Sequence, residues 1–353
     1  MVRPSGSKRL PLRIAQIAPL IESIPPKKYG GTERVVYFLT EELIRRGHSV
    51  TLFASGDSQT SAKLQSVYPL SLREARIPDL YGANPFTLMH IGNAYEKQGN
   101  FDIIHDHLGF LSLPTANLSR RPVVMTYHGP FTGQVRRMFA AMRHPHIVSI
   151  SKSQAELARD LNQVGVVYNG LSMESYPFSE EHDGYLLAVG RFSMEKGIHH
   201  AIEVAQYLSI PLIIAAKLDP IDMPYFNQYI APKLSDRQVR WIGEVDEATR
   251  NRLMSRALCF LHPVTWREPF GLVMIEAMAC GAPVVAFRRG SIPEIVHHGK
   301  TGFVVDNVDE MIDAVMGVRA ISRRECRRHA LRNFNVGRMV DSYEAIYYRV
   351  LGR

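Results

Sequence analysis

The sequence predicts two doubly wound α/β domains that face each other across a cleft. Three observations support this: short apolar strands alternate with amphipathic helices, the alternation begins again in the second half, and a polar stretch separates the halves. A length of 353 residues fits two domains better than one. We place the domains at 1–168 and 169–336, with a final helix at about 337–353 that packs back on the first domain.

The first half begins with an apolar strand, Leu12–Ala18, and a helix from Gly31 to Arg46. Apolar residues of that helix, such as Val35, Leu39 and Leu43, recur on one face, and Gly47 ends it. Because strand and helix alternate, we expect a parallel sheet that is covered on both faces. Further strands are predicted at Ser49–Ala54, Asp102–His105, Pro122–Tyr127, His146–Ile150 and Gly165–Tyr168.

The second half repeats the pattern after a polar segment, Asn169 to Gly184, that has the composition of a linker. Asp246 is a suitable N-cap for one of its helices. The closing helices, from about Asn307 to Arg353, are rich in arginine. Strands are predicted at Tyr185–Val189, Pro211–Ala216, Val239–Ile242, Leu258–Leu261 and Pro283–Phe287, and helices at Gly197–Tyr207, Asp246–Arg256 and Phe270–Ala279.

Composition excludes several classes of protein. Hydrophobic residues make up 46% of the chain and charged residues 22%, which excludes disordered and fibrous proteins. Three cysteines are too few for a disulfide framework and favour a reducing compartment. Arg13 and Gln16 interrupt the N-terminal apolar stretch, unlike a signal peptide, and the longest apolar run, 271–287, is shorter than the ~20 residues of a membrane span. We expect a soluble cytoplasmic protein and leave peripheral membrane attachment open.

The formal charge of +8 lies in the N-terminal half. Residues 1–169 contain 20 Lys+Arg against 12 Asp+Glu, whereas residues 170–353 contain 22 of each. A basic surface attracts phosphorylated substrates, anionic lipid or nucleic acid, although a solvated surface with surplus arginine explains the charge equally well. Because no nucleic-acid-binding motif occurs, we expect no nucleic-acid partner. The run Arg323–Arg328 can lie on anionic lipid, but a solvated helix face is the simpler interpretation.

The most informative segment is REPFGLVMIEAMACGAPVVAF, from Arg267 to Phe287. Glu268 precedes a predicted helix and Glu276 lies inside it, on an otherwise apolar face. A buried carboxylate is costly unless it meets hydrogen-bond donors, and ligand hydroxyls are such donors. Phe270, Gly271 and Leu272 are expected in the first helical turn, where free backbone amides attract an anion.

A pair of cations follows the first strand of the second domain, in LLAVGRFSMEKG. Arg191 and Lys196 lie in a short loop before a helix, where they can clamp a diphosphate. A surface arginine and a lysine at a helix start are the alternative. The spacing is not that of a Walker-type loop.

Two further sites lie in the first domain. Gly30 and Gly31 precede the first helix, where backbone amides can face a phosphate, although a tight turn also explains them. His128, just after a strand, can bond a substrate hydroxyl or help proton transfer, or it is a loop histidine with no such role. The run 105–107 (HDH) has metal-ligand residue types, but adjacent side chains of a strand point to opposite faces, so we expect a polar cleft wall and no metal.

Together these segments resemble the family-4 glycosyltransferases, retaining enzymes of the GT-B fold that transfer a sugar from a nucleotide-sugar. The resemblance runs from Ile14 to about Val305, and its most specific part is Glu268-x7-Glu276 with PFG and GAPVVA around it. The segments GGTERVV, TYHG, VYNG, AVGRFSMEKG and PEIVHHGKTGFVV occur in the family's order. One departure is Ser172, at a position where the family often has an aspartate.

The resemblance implies a role for each candidate residue. Arg191 and Lys196 would hold the donor diphosphate and stabilise its charge as it leaves. Glu268 would accept hydrogen bonds from the donor sugar, and His128 would contact the transferred sugar. With these four as the catalytic set, the remaining donor-binding residues would be Gly30 and Gly31 at the diphosphate, Phe270, Gly271 and Leu272 through their backbone amides, and Glu276 at the ribose.

The expected function is transfer of a sugar from a nucleotide-sugar, UDP before GDP, to a hydroxyl acceptor, with retention and without a metal or cofactor. The sequence shows no pair of carboxylates that would lie close to the anomeric carbon on its two sides. We therefore favour same-face attack assisted by the leaving diphosphate. The acceptor, small and polar or lipid-linked, and the oligomeric state stay open. Alternatives are a GT-B-type epimerase or phosphorylase, or a non-catalytic protein that binds through its basic surface. Acceptor-pocket candidates are Pro85, Phe86, Met89 and Tyr95, for which a plain amphipathic helix is the alternative.

Overall fold

A parallel sheet of seven strands forms the core of the N-terminal half. The computed structural model describes residues 10–28, 30–77, 80–234 and 237–353, without the side chains of Leu80 and Tyr81. The strands are β1 (Arg13–Ile17), β2 (Ser49–Phe53), β3 (Lys63–Gln65), β4 (Ile103–Asp106), β5 (Val123–Thr126), β6 (His146–Ser149) and β7 (Gln163–Val166). Their order in the sheet is β3-β2-β1-β4-β5-β6-β7, with β1 in the middle, as in a doubly wound fold.

Helices pack on both faces of this sheet. The first helix buries Val35, Leu39 and Leu43 completely against the sheet, which is the apolar face that its sequence predicts. Residues 1–9, with which the predicted first domain begins, lie outside the described residues. The helices of this half are α1 (Gly31–Arg45), α2 (Leu80–Glu96), α3 (Leu113–Asn117), α4 (Gly133–Ala141) and α5 (Lys152–Glu156).

A second parallel sheet, of six strands, forms the core of the C-terminal half. Its strands are β8 (Leu186–Arg191), β9 (Leu212–Lys217), β10 (Val239–Trp241), β11 (Cys259–His262), β12 (Val284–Phe287) and β13 (Gly302–Val305), in the order β10-β9-β8-β11-β12-β13. Its helices are α6 (Ile198–Leu208), α7 (Met223–Tyr225), α8 (Glu247–Arg256), α9 (Leu272–Ala279), α10 (Ile292–Ile295), α11 (Val308–Gly317) and α12 (Arg323–Asn333). The two sheets confirm the predicted pair of doubly wound α/β domains.

The last helix, α13 (Val336–Val350), packs against the first sheet rather than the second. Tyr343 and Tyr347 are fully buried there, beside Leu39 and Leu43 of α1. The Tyr343 hydroxyl lies 2.8 Å from Thr126 Oγ1 at the end of β5. The C-terminal helix therefore completes the core of the N-terminal half.

In the arginine-rich run of α12, Arg324 and Arg328 are exposed, as a solvated helix face predicts, whereas Arg323 and Arg327 bond to the protein backbone. Arg323 is 7% exposed and donates to the carbonyls of Ser179, Ser255 and Ala257. Arg327 donates to three further carbonyls, those of Glu174, Tyr176 and Ala279. Because backbone carbonyls accept hydrogen bonds from their guanidinium groups, these two arginines attach the linker segment and the end of α9 to α12.

Most predicted elements agree with the structure to within a residue or two. Strand β7 begins two residues before the predicted Gly165, and α9 begins at Leu272 rather than at Phe270. Among the described residues, no helix is both long and apolar enough to cross a membrane. Parallel sheets bind ligands outside the carboxyl ends of their strands, so the loops after β1, β5, β8 and β11 are the places to examine.

Candidate active site

A cavity of about 440 Å³ lies between the two halves, at the carboxyl ends of both sheets. Gly30 and Gly31 follow β1, His128 follows β5, and the other walls come from the second half. All ten catalytic and donor-binding residues proposed from the sequence line this one cavity: Gly30, Gly31, His128, Arg191, Lys196, Glu268, Phe270, Gly271, Leu272 and Glu276.

Glu268 is buried on the loop between β11 and α9. Its Oε2 accepts from Lys196 Nζ at 2.8 Å and from Trp266 Nε1 at 2.9 Å, and His262 Nε2 lies 3.7 Å away. Burial alone would raise the pKa of the Glu268 carboxyl, but the Lys196 ammonium and His262 together outweigh burial, and the pKa falls to about 2. Glu268 is therefore a carboxylate at any physiological pH, held in place by one cation and one indole.

Arg191 ends β8, and its guanidinium spans two carboxylates. Its Nη2 donates to Glu195 Oε1 at 2.5 Å, and its Nε lies 3.1 Å from Asp222 Oδ2. Its side chain is 34% exposed, which leaves it accessible from the cavity. Arg191 and Lys196 thus present two cations on one side of the cavity, and each is already paired with a carboxylate.

Glu276 lies on α9 at the far side of the cavity, in a cluster of charges that crosses the cleft. Its Oε1 accepts from Arg34 Nη1, and from Arg250 Nη2 at 2.9 Å. Arg34 belongs to α1 of the N-terminal half, and its Nη2 also donates to the Tyr176 hydroxyl at 2.7 Å. Glu276 is therefore an ion-pair partner that links the two halves, a contact that its sequence context does not predict.

The start of α9 corrects one detail of the sequence analysis. Phe270 and Gly271 precede the helix instead of forming its first turn, and Gly271 adopts a left-handed conformation with φ +86°. A Cβ at Gly271 would lie 2.5 Å from Met274 Cε. The first helical amides, at Leu272 and Val273, have no partner within the helix and line the cavity, so an anion can still approach them.

Gly30 and Gly31 lie where the N-terminal half comes closest to α9. A Cβ at Gly31 would lie 3.4 Å from Leu272 Cδ1 of the opposite half. A Cβ at Gly30 would lie 2.7 Å from Pro26 Cβ, so any larger residue would displace the loop. The contact at Gly31 is an ordinary van der Waals distance, whereas Gly30 is required by the packing of its own loop, as a tight turn requires.

His128 contacts a second histidine behind the cavity wall. Its Nε2 lies 3.0 Å from His107 Nδ1, and His107 Nε2 lies 2.8 Å from Gln16 Oε1. Burial lowers the pKa of His128 to about 4, so the ring is neutral near pH 7. A neutral ring suits a hydrogen bond to a substrate hydroxyl better than the delivery of a proton.

The HDH run points in two directions. His105 in β4 and His107 just after it point to one side, with 4.0 Å between their ring centroids, and His105 Nδ1 lies 2.6 Å from the Tyr347 hydroxyl. Asp106 points to the other face and accepts from Tyr95 at 2.7 Å and Ser112 at 2.8 Å. No group of side chains suited to a metal ion occurs among the described residues. His107 instead forms part of the polar wall behind His128.

Several residues of the cavity wall were missed by the sequence analysis. Glu22, Glu33 and Arg73 line it from the N-terminal half, and Arg34 and Arg250 line it near Glu276. Glu33 and Arg34 lie within GGTERVV, but an acid in a first helical turn is so common that it gives no signal.

The acceptor-pocket candidates of α2 do not line the cavity. Tyr95 is buried against Asp106, Met89 is 56% exposed, and the Phe86 ring packs on Tyr68 with 4.4 Å between centroids. Residues 85–95 therefore form part of an ordinary helix, as the alternative interpretation has it.

Comparison with known proteins agrees with this geometry. Residues 174–335 match the family described as glycosyl transferases group 1, and residues 29–175 match glycosyltransferase family 4. The chain is 25% identical to N-acetyl-alpha-D-glucosaminyl L-malate synthase of Bacillus anthracis, over 91% of this chain and 94% of that protein. It is 27% identical to phosphatidyl-myo-inositol mannosyltransferase of Propionibacterium freudenreichii, over 78% and 77%.

Solved structures agree on the fold. An Anabaena protein crystallised with UDP and glucose superposes with a TM-score of 0.73 at 20% identity, over 96% of this chain and 100% of that one. The two family matches together span most of the chain. The chain therefore belongs to the family-4 glycosyltransferases, enzymes of the GT-B fold.

Proposed function

We propose that this glycosyltransferase moves a sugar from a nucleotide-sugar to a hydroxyl acceptor with retention of configuration. The observation that carries the proposal is the convergence of the two cations, Arg191 and Lys196, with the Glu268 carboxylate in one cavity between the domains. UDP is our first choice of nucleotide and GDP our second. The Anabaena protein of similar fold was crystallised with UDP and glucose, which supports UDP.

In the proposed reaction the bond between the anomeric carbon and the diphosphate oxygen breaks. The acceptor oxygen bonds to the same carbon from the same face, and its proton passes to the departing diphosphate. Negative charge grows on the diphosphate, where Arg191, Lys196 and the first amides of α9 can stabilise it. We propose that these groups supply the charge stabilisation without a metal ion.

The sugar would be held from both sides. Glu268 is ionised and can accept hydrogen bonds from donor hydroxyls, once Lys196 turns toward the diphosphate. His128 is neutral, and its Nε2 is engaged with His107. Its other ring nitrogen, Nδ1, can form a hydrogen bond with a sugar hydroxyl. Glu276 would bind the ribose. Because Arg34 and Arg250 already donate to its Oε1, the ribose hydroxyls would share this carboxylate with the two arginines.

Buried thiols favour a reducing compartment for the reaction. Cys259, Cys280 and Cys326 are all buried and free, and burial raises the pKa of each thiol well above its ordinary value. Such thiols are unreactive, and none lines the cavity. We therefore propose that the enzyme acts in the cytoplasm and contacts the membrane surface only if its acceptor is lipid-linked.

A nucleotide screen tests the donor. A ligand at 100 times its dissociation constant adds about 2.7 kcal/mol of stability, which a thermal shift detects. We expect UDP or GDP and their sugar conjugates to stabilise the protein, and ADP to do so less. If no nucleotide stabilises it, the proposed function is wrong.

The chemistry is tested by Glu268→Ala and by the product. We expect the variant to lose transfer by 100-fold or more, on the order found for other groups that stabilise a transition state, while it still binds the nucleotide. Glu203→Ala, a surface change on α6 outside the cavity, is the control and should keep full activity. An inverted product, or a trapped adduct between sugar and enzyme, would contradict the same-face mechanism.

A further inference from the structure

One part of the cavity wall in the N-terminal half has no role in the proposed binding of the donor. It consists of Glu22 in the segment after β1, Glu33 in the first turn of α1, and Arg73 after β3. These three residues, which we name the N-terminal wall, come from separate parts of the sequence. They line the same cavity as His128 and Glu268, so a molecule bound against them lies within reach of the donor sugar.

Arg73 divides its charge between two carboxylates on opposite sides of the cleft. Its Nε lies 2.6 Å from Glu22 Oε1, and its Nη1 donates to Glu244 Oε1 of the C-terminal half at 3.4 Å. The side chain of Arg73 is 31% exposed, so its remaining N–H groups can still donate. One cation shared by two carboxylates leaves no positive charge to spare for an anionic ligand.

Glu33 differs from Glu22 because no other side chain bonds to it. It is 7% exposed, its carboxyl interacts with its own backbone N–H, and among the described residues no other donor within hydrogen-bond distance is seen. A buried carboxyl whose donor is only its own backbone N–H gains stability from a further hydrogen bond. Since Glu33 faces the cavity, a ligand is the available source of the missing donor.

The environment of the N-terminal wall favours uncharged donors. Burial raises the pKa of Glu33 to about 7, and burial together with Glu33 raises that of Glu22 to about 7 against the opposing effect of Arg73. Near neutral pH the two carboxyls therefore exist partly as acids, which donate, and partly as carboxylates, which accept. Hydroxyl groups satisfy both forms, whereas a carboxylate or phosphate would be repelled by the ionised form.

We propose that Glu22, Glu33 and Arg73 form the acceptor subsite, and that the acceptor is an uncharged polyhydroxylated ring, a sugar or a cyclitol, at the point where it meets this wall. The inference rests on the proposed function, since it names the molecule that receives the sugar. Adjacent hydroxyls of the ring bond to Glu33 and Glu22, and Arg73 donates to a ring or hydroxyl oxygen. The ring is either a free molecule or the head of a lipid, because both present the same hydroxyls.

Ligand-observed NMR on the full chain loaded with UDP or GDP tests the subsite. The neutral probes are myo-inositol and methyl α-D-mannopyranoside, and the anionic probes are L-malate and glucose 6-phosphate. We expect a neutral probe to bind and the anionic probes to bind at least tenfold more weakly. The inference is overturned if no neutral probe binds the nucleotide-loaded protein, or if an anionic probe binds better.

Variants then assign the binding to the wall. Glu33→Ala should weaken the neutral probe 10- to 100-fold and leave the nucleotide affinity unchanged, whereas Glu33→Gln should recover part of the binding. Glu74→Ala, which changes an exposed carboxylate beside Arg73, is the matched control and should bind the probe as the wild type does. Equal binding by Glu33→Ala and the wild type contradicts the subsite.

Two further measurements distinguish a lipid-borne ring from a free one, and a wrong acceptor subsite from a wrong proposed function. Sedimentation with phosphatidylinositol vesicles that depends on Glu33, with phosphatidylglycerol vesicles as the charge control, assigns the ring to a lipid head. Binding of the free ring without such sedimentation assigns it to a free sugar or cyclitol. Failure of every nucleotide to stabilise the protein removes the proposed function itself, while normal nucleotide binding with no Glu33-dependent probe removes only the acceptor subsite.

Discussion

Lys196 keeps Glu268 charged in a buried position, and the stability of the protein should reveal this. In Lys196→Met the carboxylate loses its ammonium partner at 2.8 Å and keeps only the Trp266 indole N–H. A hydrogen bond to a charged group contributes about 1.5–3 kcal/mol, so we expect a loss of about 2 kcal/mol. Urea unfolding of the two proteins at pH 7 measures the difference.

A double variant checks that the loss comes from the unpaired charge. Glu268→Gln retains the Trp266 bond without a charge, so adding Lys196→Met to it should cost less than 1 kcal/mol. If Lys196→Met costs the same in both backgrounds, the pair does not stabilise the fold.

We expect the free energy of unfolding to depend on pH through Glu33, because the pKa of its carboxyl is raised in the folded protein. The folded pKa is about 7 and the ordinary value 4.5, so folding favours the protonated form, and the stability contributed is lost as pH rises from about 4.5 to 7. Glu33→Gln is uncharged at every pH. Relative to the wild type it should therefore gain stability as pH rises, by up to about 3 kcal/mol at pH 8.

Urea unfolding at pH 5, 6, 7 and 8 gives this difference. Glu74→Gln, at an exposed position, is the control for the removal of a carboxylate. A Glu33→Gln difference that does not change with pH would place the Glu33 carboxyl in contact with water.

At the scale of residues, the sequence predicts that Glu268 and Glu276 lie in the cavity wall, but it does not predict Glu22 or Arg73 there. Glu268 and Glu276 are visible because carboxylates interrupt an apolar segment, which burial makes costly. Glu22 and Arg73 belong to irregular loops with no repeating pattern. Their burial exists only after distant segments pack together, so no local pattern marks them.

Among the elements, buried parallel strands are the easiest to predict because both faces are apolar. Strand β3, Lys63–Gln65, was missed since it is a three-residue edge strand of mostly polar residues. The segment Asn169 to Gly184 reads as a solvated linker, yet Leu171 and Met173 are fully buried and Tyr176 is 6% exposed. Three isolated apolar residues cannot form a periodic pattern, which explains the difference.

Helix α13 is held in the first domain by polar bonds as well as by packing, and Tyr347→Phe tests one of them. The Tyr347 hydroxyl lies 2.6 Å from His105 Nδ1, and Gln16 Nε2 donates to it at 3.5 Å. Removing the hydroxyl leaves a buried ring nitrogen poorly satisfied, so we expect a loss of about 1–3 kcal/mol in urea unfolding.

The same variant should bind UDP as the wild type does, because neither Tyr347 nor His105 lines the cavity. Tyr207→Phe, at a position 74% exposed on α6, is the control and should cost less than 0.5 kcal/mol. No loss in Tyr347→Phe would mean that packing alone retains α13.

At the scale of the whole molecule, bonds across the cleft surround the cavity. Arg34 meets Glu276 and Arg73 meets Glu244 on one side, while Glu294 accepts from the backbone amides of Lys152 and Ser153 on another. The sequence predicts the two domains but not these contacts, since each joins residues more than 140 positions apart.

Arg267 is the contact whose removal should open the molecule with the least damage to either domain. It projects from the C-terminal half, and its guanidinium donates to Ser153 Oγ at 2.9 Å, to the Ser153 carbonyl at 2.8 Å and to Glu156 at 2.9 Å. Its side chain is 43% exposed, so its loss should leave no buried group unpaired. An exposed ion pair contributes about 0–1 kcal/mol, so Arg267→Ala should raise the ratio of open to closed molecules up to about fivefold.

Small-angle scattering measures the change as a larger radius of gyration without nucleotide. Saturating UDP should return the radius to the wild-type value, because a donor bound to both walls favours the closed form. Arg288→Ala is the matched control: Arg288 pairs with Asp306 inside the C-terminal half, so its loss should leave the radius unchanged. An Arg267→Ala radius equal to that of Arg288→Ala would mean that the remaining cross-cleft bonds, those of Arg34, Arg73 and Glu294, suffice to keep the domains together.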